Sequence, residues 1–94
     1  MTATKIIARK RMEQETTYTF KVKKMNSFEF GIMFDCAKNI HHLDKESHAH
    51  EILKQNDVII AMNGIKCNTY RDILILAKYT SDSALFSIHR DLST

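Results

Sequence analysis

Tyr18, Phe20 and Val22 alternate with Thr19, Lys21 and Lys23, the period of a strand with one face against a core. Phe30 to Ala37 reads as a second strand, with Ile32, Phe34 and Cys36 on one face and Met33 and Asp35 on the other. Lys38-Asn39 reads as a tight turn and Ile40 to Leu43 as a short third strand. Ser47 ahead of HAHEIL predicts one or two helical turns with Ser47 as N-cap. Val58 to Met62 is an apolar run of strand length, closed by the turn dipeptide Asn63-Gly64. Thr69 and Asp72 form T-x-x-D, a variant of the capping box, in front of ILILAK. This predicts the long helix, roughly Tyr70 to Tyr79, which stops in the polar stretch Thr80 to Ser83. Ala84, Phe86 and Ile88 alternate as a last strand. The expected order is three strands, a short helix, a strand, a long helix and a strand. That is a small α+β fold, with strands pairing antiparallel and few helices.

Residues 1–16 show no clean period and are charged, so a flexible or weakly helical basic arm is expected there, with the domain over 17–91 and a tail over 92–94. The chain has 94 residues, enough for one small domain. Residues 1–24 hold seven basic and two acidic side chains, a net of +5, and residues 25–94 hold seven basic and nine acidic, a net of −2. A basic arm can touch an anionic surface weakly; a nucleic-acid partner is not expected. The sequence has no proline and two glycines, Gly31 and Gly64. Each glycine should therefore sit where no other residue would do, and Asn and Asp must serve the remaining turns.

Two cysteines, Cys36 and Cys67, form neither a CxxC motif nor a disulfide framework. They favour a reducing, intracellular setting, cytoplasmic or at the inner face of a membrane. Cys36, inside an apolar run, is expected to be a small buried hydrophobe. No apolar run approaches the ~18 residues of a membrane span.

The stretch HHLDKESHAHE, His41 to Glu51, holds four of the five histidines. Adjacent His41 and His42 would point to opposite faces of a strand. His48 and His50 would diverge by about 200° on a helix of ~3.6 residues per turn. No HExxH, P-loop, G-x-S-x-G or G-x-G-x-x-G is present. Neither a metal, a cofactor nor an enzymatic activity is expected.

Four segments, in order, resemble a PDZ domain over about residues 18 to 90. Leu53 to Gly64, LKQNDVIIAMNG, is similar to L-x-x-G-D-x-I-L-x-V-N-G, with Asn56 in place of Gly and Met62 in place of Val. Leu43 to Ala49 is similar to V-x-x-G-S-P-A, with Glu46 and His48 in place of Gly and Pro. Tyr70 to Lys78 fits the long helix flanking the family's groove, and Ala84 to Arg90 its closing strand. Glu29-Phe30-Gly31-Ile32 resembles the carboxylate-binding loop x-Φ-G-Φ, with Glu29 where the family's first glycine stands.

The resemblance implies a β-sandwich or partly open barrel of five to six strands capped by a short and a long helix. It also implies an interaction module that takes the C-terminal peptide of a partner as an added strand between the second strand and the long helix. The amides of Phe30, Gly31 and Ile32 would bind the terminal carboxylate in a nest, with Lys24 or Lys23 nearby. Ile32, Phe34, Leu74 and Ala77 would line the pocket for an apolar last residue. Tyr70, Met33 and His41 would tune specificity, Tyr70 towards an acidic or an apolar residue two positions before the end. Ile73 to Leu76 run round the whole helix, more than one buried face requires. An alternative is thus a dimerisation or assembly scaffold, with a second copy or another protein docking through Ile73 and Ile75.

Overall fold

The computed structural model describes residues 15–27 and 29–91; the expected arm, up to residue 14, and the expected tail lie outside the described residues. Strand β1 (Glu15–Lys23) pairs antiparallel with the last strand, β6 (Ser83–Asp91), from Glu15 opposite Asp91 to Lys23 opposite Ser83. Glu15 and Thr16, expected in the arm, are thus the first residues of the ladder. The period-two pattern holds on both strands. Val22, Ala84, Phe86 and Ile88 are buried, and Tyr18 and Phe20 pack against them. The outer face is polar apart from the exposed Leu85, with Thr17 Oγ1 2.9 Å from His89 Nδ1 and Thr19 Oγ1 2.9 Å from Ser87 Oγ.

Strand β4 (Val58–Met62) pairs with the other edge of β6, and β5 (Ile65–Lys66) pairs with β4, so the sheet order is β1-β6-β4-β5. Ile59 and Met62 are both fully buried although three residues apart, which a regular strand forbids. A register shift between Ile59 and Ala61 resolves this: a bulge adds the residue that returns Met62 to the inner face. Asn63 and Gly64 both have positive φ, 54° and 78°, the backbone of a tight two-residue hairpin. β5 was not expected; it is two exposed residues long, too short to show a period.

The second sheet is the pair β2 (Ile32–Phe34) and β3 (Ile40–Leu43), tied to the first by a bridge between Asn39 and Val58. β2 is shorter than the expected strand over Phe30 to Ala37. It ends where Asp35 Oδ1 accepts the N–H groups of Ala37 and Asn39, each at 2.9 Å, and folds the chain back. Cys36 therefore sits on an exposed turn, and the expectation that it is buried is corrected. Cys67 is the cysteine in the core, 1% exposed. Positive φ falls on Asn56 and Asn63, as the scarcity of glycine implies, and also on Lys38, φ 70°. Lys38 Nζ donates to the carbonyl of Cys67 at 2.8 Å, a long-range contact that offsets the left-handed strain of about 1–2 kcal/mol.

Helix α1 (His48–Ile52) starts at Ser47, whose Oγ accepts the N–H of His50. Helix α2 (Tyr70–Tyr79) carries the full capping box, Thr69 with Asp72. Among the described residues, six strands, all in antiparallel pairs, and two helices enclose a core centred on Phe86, Ile40, Ile59, Met62, Ile73 and Ile88.

A charged pair crosses the core edge. Asp57, 2% exposed, takes Arg90 Nε at 2.9 Å on one oxygen and an Arg90 terminal nitrogen at 2.7 Å on the other. The same carboxylate accepts the N–H of Lys54 at 2.8 Å. The guanidinium lies over the rings of Tyr18 and Phe20, 5.2 and 5.6 Å from their centroids. The hydrogen bonds to Asp57 push the pKa of Arg90 up.

Candidate functional site

Gly31 closes one end of β2 with φ 79°. A β-carbon there would meet Ser47 Cβ at 2.7 Å, so both the backbone angle and the close approach demand glycine. The approach is fixed by the N–H of Asp44 donating to the carbonyl of Gly31 at 2.8 Å. Phe30, just before it, is 4% exposed and packs edge-on against Phe86, centroids 5.0 Å apart. That buried ring anchors the loop to the core. Glu29 is exposed, and its N–H donates to Asn26 Oδ1 at 3.1 Å. The N–H groups of Phe30 and Gly31 have no hydrogen-bond partner among the described residues.

Antiparallel ladders alternate bonded and non-bonded pairs. Gly31 bonds Asp44, and Met33, two residues on, faces His42. The backbone of Ile32, between them, therefore points away from β3 to the other edge of β2. Among the described residues no strand occupies that edge, and β3 is the one neighbour of β2.

Across the edge stands α2. Between them lies a cavity of about 180 Å³ lined by Glu29, Phe30, Ile32, Phe34, Ile73, Leu74, Ala77, Lys78 and Phe86. The four expected pocket residues, Ile32, Phe34, Leu74 and Ala77, all come together here. Lys78 and Phe86 were missed. The helical period signals Lys78, because positions i, i+3 and i+4 share a face and these are Leu74, Ala77 and Lys78. Phe86 comes from the far end of the chain, and no local pattern announces it.

Other expected site residues stand around the groove. Lys24 Nζ donates to the carbonyl of Ser27 at 3.3 Å and sits 5.8 Å from the centroid of Phe30. It lines a neighbouring depression of about 480 Å³ with Lys21, Lys23, Asn26, Ser27, Ser81, Asp82 and Ser83, not the apolar groove itself. Tyr70 is the first residue of α2, half-buried, and does not line the cavity. Met33 is 64% exposed on the face of β2 opposite the core. His41, on β3, is tied to Asp35 at the β2–β3 turn, Nε2 to Oδ2 2.9 Å.

The helix faces correct one expectation. Ile73 is 1% exposed and forms the floor of the groove, whereas Ile75 is 56% exposed. Two residues on a helix differ by about 200°, so they cannot share an outer surface. The outward apolar pair is Ile75 and Tyr79, the latter 78% exposed.

The histidine-rich stretch is structural at two points: His41 bonds Asp35, and His48 Nδ1 accepts the N–H of Lys23 at 3.0 Å. Among the described residues no three His, Cys, Asp or Glu side chains are grouped to hold a metal ion. No described helix is long and apolar enough to cross a membrane.

No protein-family model matches the sequence, and no curated protein matches it either. The structure does match. It superposes on the PDZ domain from choanoflagellate SHANK1, solved bound to a GIRK3 peptide, with a TM-score of 0.71 over 85% of this chain and 98% of that one. The fold is that of a PDZ domain. The two sequences are 19% identical, so the likeness rests on the architecture. In this PDZ fold Glu29 to Ile32 occupies the loop at the end of the groove, and the departures at Asn56 and Glu46 from the family's glycines leave the turns intact. Asn56 takes the left-handed conformation, φ 76°, that glycine would otherwise supply.

Proposed function

We propose that this domain captures the C-terminal peptide of a partner protein, which adds as a strand to β2 and lies against α2. The observation that carries this reading is the edge of β2 that no described strand covers, ending in the N–H groups of Phe30 and Gly31, unbonded among the described residues, beside an apolar cavity. Free backbone groups are a template for an added strand. Converging N–H groups form a nest for a carboxylate. In this reading the amides of Phe30, Gly31 and Ile32 hold the terminal carboxylate, and Lys24 adds a positive charge beside the loop. The last side chain enters between Ile32, Phe34, Leu74 and Ala77. Ala77 is small, which favours a large apolar residue, and burying one contributes about 1.5–3 kcal/mol. Tyr70, at the head of α2, and His41, near the other end of β2, meet residues further from the terminus; Tyr70 favours an acidic or an apolar residue two positions before the end. That the SHANK1 PDZ domain of the same fold is bound to a peptide supports the reading. An intracellular setting belongs to it, since neither Cys36 nor Cys67 is in a disulfide.

The test is a fluorescence titration of the whole chain with peptides ending in a large apolar residue, each with a free and an amidated C-terminus. Binding of the free form and at least roughly tenfold weaker binding of the amide are expected. Leu74→Asp should weaken the free peptide by a similar factor. Equal affinity of free and amidated peptides, or indifference to Leu74→Asp, sinks the proposal.

A second reading rests on Ile75 and Tyr79, exposed one turn apart on α2. Such a face can join copies of the domain. A solution mass that falls from dimer to monomer on Ile75→Lys assigns the face to assembly, and a parent chain that is already monomeric removes that role.

A further inference from the structure

Glu29 stands in place of a glycine at the one point where a ligand carboxylate is to be held, and a second carboxylate lies near it. Glu29, Gly31, Ile32, Met33, His42 and Asp44 line a shallow depression of about 290 Å³ on the β2–β3 face. Met33 and His42 are cross-strand partners there, and Met33 is 64% exposed. Neither Glu29 nor Asp44 forms an ion pair among the described residues. Asp44 Oδ1 accepts the N–H of Glu46 at 2.9 Å. Of the lining side chains only His42 can become cationic. The depression is thus an acidic patch with an apolar shelf, bordering the groove, whose lining Glu29 also shares.

The alternation of a strand decides what meets this patch. If a ligand strand sends its last side chain into the cavity by Ile32 and Leu74, the side chain before it must point to the opposite face. That is the face of Met33 and His42. Resting on the function proposed above, we infer that the domain selects Lys or Arg as the penultimate residue of its ligand. The aliphatic stem lies over Met33 while the charged head reaches Glu29 and Asp44. The same cation offsets the repulsion between Glu29 and the ligand's terminal carboxylate. Both acceptors are near the surface, so each contributes modestly and is screened by salt. Together they amount to roughly a tenfold preference for Arg over Glu at low ionic strength.

A library of peptides with free C-termini, randomised at the last three positions, tests the idea against the whole chain. Enrichment of large apolar residues at the last position and of Lys and Arg at the penultimate one is expected. Two fluorescein-labelled peptides picked from the library, differing only in penultimate Arg or Glu, are then titrated. The parent chain should prefer Arg roughly tenfold at low salt, and Glu29→Arg should abolish or invert that order without lowering the melting temperature. Apolar enrichment at the last position with no charge preference before it overturns this inference and leaves the groove function standing. A library that selects nothing overturns both.

Discussion

Gly31 and Ser47 touch where the loop from Glu29 to Ile32 meets the start of α1: a β-carbon on Gly31 would stand 2.7 Å from Ser47 Cβ. Ser47 cannot yield, because its Oγ donates to the Asp44 carbonyl at 2.7 Å and accepts the N–H of His50 at 3.1 Å. Gly31→Ala adds left-handed strain of about 1–2 kcal/mol to that clash. The variant is expected to lose about 2–4 kcal/mol in urea denaturation and its affinity for free C-terminal peptides. Gly64→Ala is the control. It shares the positive φ but has open space around it, so it should lose only about 1 kcal/mol and keep peptide binding.

The Asp57–Arg90 pair should matter more by its breakage than by its presence. Asp57→Ala leaves the Lys54 N–H without its acceptor and the Arg90 guanidinium with only the Ile52 carbonyl at 3.4 Å, and a loss of about 3–5 kcal/mol is expected. Arg90→Met keeps a stem over Tyr18 and Phe20 but strands a buried carboxylate, so it should also be severe. The double variant Asp57→Leu with Arg90→Met should recover part of the loss. A double-mutant cycle by chemical denaturation reads the coupling.

Acid should loosen the β2–β3 turn in a defined window. The N–H of Asn39 and then the ring of His41 hold the Asp35 carboxyl down to about 2, from an ordinary value of 3.8. A folded value below the unfolded one gives stability that is present above about pH 4 and fades as pH falls towards 2. Urea midpoints of the parent and Asp35→Asn should differ at pH 5 and converge near pH 2. A gap independent of pH would refute the assignment.

The two thiols should react differently. Burial, then the charge of Asp72, raises the pKa of Cys67, while Cys36 is exposed. One equivalent of an aromatic disulfide reagent should be consumed rapidly by the native protein and a second only on unfolding. Two fast equivalents would place Cys67 outside the core.

Helix faces give a stability test. Ile73→Ala should lose about 2–5 kcal/mol as a core truncation, whereas Ile75→Ala should stay within about 0.5 kcal/mol. The sequence ILIL treats both alike. Helix α2 was legible from Thr69 and Asp72, which satisfy their own backbone neighbours, but which of its apolar residues faces the core depends on what the sheet presents to it. Likewise the short β2 could not be read from the run FGIMFDCA. Asp35 turns the chain by bonds to Asn39 and to His41, and the latter is placed only when β3 returns.

Much of the candidate groove could be seen in advance because its parts obey local rules. Gly31 was marked as indispensable by the scarcity of glycine, and Ile32 with Phe34, like Leu74 with Ala77, share faces by simple period. Phe86 beneath the groove, Ile73 as its floor, the contact of Gly31 with Ser47, and Glu29 beside Asp44 were not legible. Periodicity, caps and turn residues act within a few positions, and those features the amino-acid sequence determined by itself. The pairing of Asp57 with Arg90, 33 residues away, the burial of Cys67 rather than Cys36, and the acidic patch beside Met33 were decided by tertiary structure alone. Each depends on the packing of segments that are distant along the chain, and no local interaction specifies which of them meet.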